Sequence, residues 1–73
     1  MAKLPEIKPQ RIEKVLNKLG FVCRSGKGGH KVFKHVDGRR TVVPVHSRPV
    51  RIGTLRAILK QIDITVDDFI DLL

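Results

Sequence analysis

The chain has no tryptophan, no tyrosine and only three phenylalanines in 73 residues. At least two of those phenylalanines fall in apolar patterns that bury them, so an RNA-binding surface built on base–aromatic stacking is disfavoured. Cysteine is nearly missing as well. Cys23 stands alone, which rules out an intrachain disulfide and fits a reducing compartment, with the cytoplasm as the expectation. No apolar run approaches the length of a membrane span, and Met1-Ala2-Lys3-Leu4-Pro5 lacks the apolar stretch of a signal peptide.

Carboxylates are scarce where the charge is densest. From Lys8 to Lys60 there are fourteen lysines and arginines against two acids, Glu13 and Asp37. From Gln61 onward the balance reverses, with Asp63, Asp67, Asp68 and Asp71 and no base, leaving a formal net charge of +8. A two-metal nuclease needs a cluster of carboxylates, and the basic body has none to give. The three histidines, His30, His35 and His46, and the single cysteine show neither Cys-x-x-Cys nor His-x₃-His spacing, so no metal and no cofactor is expected. A basic body of this kind is the electrostatic footprint of a nucleic-acid partner.

What the sequence does contain is enough for one small domain spanning residues 1–73. The first seven residues read as a loosely held lead-in. Pro9 suits the first turn of a helix, and Ile12, Val15, Leu16 and Leu19 then recur on one helical face, predicting a helix over residues 9–19 that Gly20 ends. Residues 21–24 are rich in β-formers and predict a strand. A loop over residues 26–29 leads to a second strand over residues 30–36, and Asp37-Gly38 predicts a type I′ hairpin turn into a third strand over residues 39–43. Residues 46–51 read as loop. A second helix is expected to begin near Gly53 or Thr54 and to bury Leu55, Ile58, Leu59 and Ile62, and Thr65 with Asp68 resembles a capping box that opens a short last helix. The expected fold is α+β, of α-β-β-β-α type. Two helices cover one face of a three-stranded antiparallel sheet, and a short C-terminal helix follows.

Side chains alternate along a strand, so His30, Val32, Lys34 and Val36 share one face of the second strand, and Lys31, Phe33 and His35 share the other. Phe33 is the largest apolar group and is placed toward the helices. His30 and Lys34 then look out from the open face, with Lys31 and His35 reaching past the edge of the core.

The chemistry follows from what has been excluded. RNA carries its own nucleophile, the 2′-OH, so its cleavage needs a base, an acid and cations for the phosphorane. Histidine can take either proton role near neutrality, and lysines and glycine-loop N–H groups can stabilise the charge. Gly26 to Lys31 holds all of these residue types in six positions. On the residues alone two readings stay open: a catalytic histidine, or a flexible hairpin loop followed by an incidental strand histidine, which is the simpler of the two.

The chain resembles the HicA family, small toxins of toxin–antitoxin pairs that act as mRNA interferases. The resemblance runs through Leu19-Gly20-Phe21, Gly28-Gly29-His30 with Phe33, Val43-Pro44-Val45-His46, the segment from Ile52 to Gln61, and the acidic end with Phe69. It implies a double-stranded-RNA-binding-domain-like fold and metal-independent endoribonuclease activity. It also implies a HicB-type antitoxin partner that covers the catalytic histidine. The family's Gly-Ser-His motif falls on Gly28, Gly29 and His30, making His30 the expected catalytic residue. Gly29 lacks the usual serine hydroxyl but keeps a backbone N–H for phosphate. Expected RNA contacts are Lys27, Gly28, Gly29, Lys31, Lys34, Arg48 and Arg51. His46 is left between a structural residue at a strand end and a second catalytic group. The other reading of the whole chain is a non-catalytic basic RNA-binding module.

Overall fold

The computed structural model describes residues 4–46 and 48–73, the side chains of Ser25 and Lys27 excepted. The element order is α1 (Pro9–Lys18), β1 (Val22–Lys27), β2 (His30–Lys34), β3 (Arg40–Pro44), α2 (Ile52–Gln61) and α3 (Val66–Leu72). The strands form one antiparallel sheet in the order β1-β2-β3. This is the expected α-β-β-β-α order with a short terminal helix.

Pro9 sits at the start of α1, and the apolar face of that helix buries Pro9, Ile12, Val15 and Leu16. Helix α2 buries Leu55, Ile58 and Leu59. Both helices lie against β3, and α3 touches both helices. Phe33, Val43 and Thr41 line the covered face of the sheet and join Ile12, Leu16, Leu55 and Phe69 among the fully buried side chains. The one buried polar side chain among the described residues, Thr41, donates its hydroxyl to Gln61 Oε1 at 2.6 Å, so β3 is tied to the end of α2 without an unsatisfied hydroxyl.

The alternation in β2 comes out as the burial of Phe33 requires. Phe33 is buried, Lys31 half-buried, and His30 and Lys34 exposed on the opposite face. Lys31 reaches the rim of the core and pairs with Glu13 of α1 at 3.0 Å. The carboxylate accepts a hydrogen bond there, which raises the lysine above its ordinary pKa.

Four local expectations are corrected. The lead-in is not loose from residue 4 on: Leu4 and Ile7 are only 7% and 4% exposed, and Val50 N–H donates to Ile7 C=O at 2.7 Å. That partner lies far along the chain, so no local pattern announces it. The loop at residues 26–29 is shorter than expected, because Gly26 and Lys27 pair with Lys31 and His30. Only Gly28 and Gly29 remain in the turn, with Gly28 at φ +64°, the positive value a type II′ turn needs at its first central position. The second hairpin is not type I′ either. Asp37 does not have positive φ and only Gly38 does, at +99°; Gly38 N–H bonds to His35 C=O and His35 N–H to Arg39 C=O. The turn is thus a three-residue loop closed by a glycine bulge, and Val36 is 99% exposed at its tip instead of in the strand. Helix α2, lastly, begins at Ile52, one residue before the expected start.

Candidate active site

His30 is the first residue of β2, immediately after the two-residue glycine turn, and it is exposed on the open face. The register sets its neighbours. His30 stands opposite Lys27 on β1 and opposite Pro44 on β3. Pairing continues one step beyond β3, since Val45 N–H donates to Gly29 C=O. The glycine turn is therefore fastened to the chain leaving β3 immediately before His30.

That chain leads to His46, and then through Pro49 and Val50 into α2. Together these elements enclose a half-open cleft of about 660 Å³, lined by His30, Val42, Pro44, His46, Arg48, Pro49, Val50, Arg51 and Thr54. The cleft is apolar at its base, where Pro44 and the buried Val50 lie, and cationic at its rim, where Arg48 and Arg51 are exposed. None of its lining residues is a carboxylate. Arg51 is the N-cap residue of α2, whose first turn has no acidic residue and no capping side chain.

Of the residues expected from sequence, the structure brings His30, Arg48 and Arg51 together in the cleft. Gly28 and Gly29 form the turn beside it. Lys34 is on the same face of the sheet as His30, four positions along β2 and about 13 Å away at ~3.3 Å per residue. Lys31 is on the other face, engaged with Glu13. The side chain of Lys27 lies outside the described residues.

Sequence reasoning missed two residues. Arg40 is exposed and directly opposite Lys34 in the sheet register. Two like charges at a cross-strand pair repel each other, so their joint position is a local cost that a bound polyanion would relieve. The alternation of β3 could have found Arg40 once its pairing with β2 was known. Thr54, in the first turn of α2, also lines the cleft.

His35, the remaining histidine, belongs to a separate structural cluster. Its Nδ1 accepts the Asp37 N–H at 3.1 Å, and its ring packs on Phe21 with centroids 5.0 Å apart. The Arg39 guanidinium lies 5.1 Å from the centre of the same Phe21 ring and also pairs with Asp37 at 2.8 Å. The Arg39 backbone N–H, helped by its guanidinium, holds the Asp37 carboxyl below its ordinary pKa. With Asp37 Oδ1 also 3.0 Å from the same Nδ1, the His35 ring is anchored to Asp37 and Phe21 and holds the hairpin turn against the core.

Among the described residues no three of His, Cys, Asp and Glu come together in a way that could hold a metal ion. No helix among them is long and apolar enough to cross a membrane. A family model described as HicA toxin of bacterial toxin-antitoxin matches residues 9–64. The matched span runs from the first residue of α1 past the end of α2 and includes every residue that lines the cleft. A search of curated proteins finds no match.

Proposed function

The chain belongs to the HicA toxin family of bacterial toxin–antitoxin systems, and from that premise we propose that it is an endoribonuclease that cleaves mRNA with His30 as acid–base group and without a metal. The observation that carries this reading is the position of His30. It is an exposed imidazole at the wall of a half-open cleft whose rim is formed by two arginines and whose lining contains no carboxylate.

In such a cleft a phosphodiester can approach His30 without repulsion. Arginine presents a fixed fork of donors that suits phosphate oxygens, and in a partly dehydrated cleft those donors stabilise the extra negative charge of a phosphorane. The glycine turn before His30 has no side chains, so the backbone of the RNA can come close. Binding is led by phosphate contacts, because Phe21, Phe33 and Phe69 are all buried and none is free to stack on a base. Lys34 and Arg40 extend the cationic track along the open face of the sheet. The free toxin is a monomer, and a HicB-type antitoxin neutralises it by covering His30 and the basic rim.

Replacing His30 with alanine tests the reading. The side chain is exposed, so the variant should fold and unfold at the same temperature as the wild type. It should lose cleavage of labelled RNA and growth inhibition on expression by a factor of at least about a hundred, the usual worth of a positioned acid–base group. Undiminished cleavage by the purified His30→Ala protein would rule the proposal out.

A further inference from the structure

We infer that His46 is the second proton-transfer group of this site, acting on the opposite side of the scissile phosphate from His30; the inference rests on the ribonuclease reading above. His30 faces Pro44, the last residue of β3, across the β2–β3 ladder. His46 is two residues beyond Pro44, and the hydrogen bond from Val45 N–H to Gly29 C=O keeps the intervening residue paired with the turn before His30. Both imidazoles accordingly line one cleft.

A structural role does not account for His46. It is exposed, it fills no part of the core, and no hydrogen bond or ion pair ties it to another of the described residues. The contrast is His35, whose ring nitrogen, ring face and neighbours are all engaged.

The chemistry requires a second group. In transesterification one base removes the 2′-OH proton while the 2′-oxygen–phosphorus bond forms. As the phosphorus–O5′ bond breaks, one acid gives a proton to the departing oxygen. The products are a 2′,3′-cyclic phosphate and a 5′-hydroxyl, with no oxidant, reductant or further reactant involved. A single imidazole cannot both accept the first proton and supply the second in one concerted step. Among the described residues, the charged and titratable groups that share the cleft lining with His46 are His30 from β2 and Arg48 and Arg51 from the segment entering α2. Arginine does not give up its proton in proteins, and Thr54 is no acid near neutrality. Among the described residues of the cleft lining, His46 is the one side chain left of a type that exchanges protons near neutrality.

The test compares wild type, His30→Ala, His46→Ala and His46→Gln on two substrates. One is a natural RNA, and the other is the same RNA with sulfur replacing the 5′-bridging oxygen at the cleavage site, a leaving group that needs no acid. On natural RNA both His46 variants should lose about 10²–10⁴-fold in kcat with little change in KM and an unchanged unfolding temperature. The wild-type pH–rate profile should be bell-shaped, and one limb should vanish in each single variant. The sulfur substrate should restore whichever histidine variant has lost the acid, and only that one. The inference is overturned if His46→Ala stays within threefold of wild type while His30→Ala is dead. It is also overturned if glutamine restores the rate, which would make His46 a positioning residue. A wild type that cleaves neither substrate contradicts the ribonuclease reading itself, a separate failure.

Discussion

A methyl group on Gly26 would lie 2.8 Å from the carbonyl oxygen of His30 and 3.2 Å from Lys31 Cγ. The first of these is backbone and cannot step aside cheaply, so glycine here lets β1 pass close to His30, the proposed acid–base residue. Gly26→Ala should therefore destabilise the protein by about 1–3 kcal/mol, the common cost of overpacking. It should also lower activity beyond what the remaining folded fraction explains, because the strain falls on the His30 peptide. A thermal melt alongside a cleavage assay at a temperature where both proteins are folded checks this. Equal stability and equal rate would show that β1 bends away freely. At this scale residue type alone drew attention to His30, Arg48 and Arg51, which the structure places along one cleft. The sequence was not legible for Gly26, since a glycine needed for close approach and a glycine needed for a loop look alike before the pairing is known. Nor was it legible for Arg40, whose significance lies in standing opposite Lys34.

Among the elements, those set by local periodicity were legible and those set by distant pairing were not. The α1 stripe of Ile12, Val15 and Leu16 needs only the helical repeat. The facing of β2 follows from Phe33 alone. Ile7, by contrast, is buried because it bridges to Val50, and the start of α2 and the inclusion of Thr54 in the cleft follow from how the intervening loop packs. The N-cap of α3 was legible: Thr65 Oγ1 accepts the Asp68 N–H at 3.1 Å. Asp67 and Asp68 lie in the first turn, where the helix dipole favours acids. Removing that cap with Thr65→Ala should cost about 1 kcal/mol, read as a lower unfolding midpoint in urea. Because α3 is remote from the cleft, the cleavage rate of the folded protein should not change. A rate that falls with the midpoint would mean that α3 takes part in shaping the site.

At the scale of the molecule, charge is segregated as the sequence indicates. The basic body supplies the open face of the sheet and the rim of the cleft, and the acids cluster in the closing segment and α3. One face of the sheet is spent on the core and the other is exposed and basic, which leaves so small a chain room for the proposed RNA contact. The measurement that bears most directly on this account is incubation of end-labelled mRNA with the purified protein in excess EDTA, followed by analysis of fragment ends. The account predicts fragments ending in 2′,3′-cyclic phosphate and 5′-hydroxyl, formed as fast with the chelator as without it. Intact RNA retained in a salt-sensitive complex would contradict it and leave a basic binding module in its place.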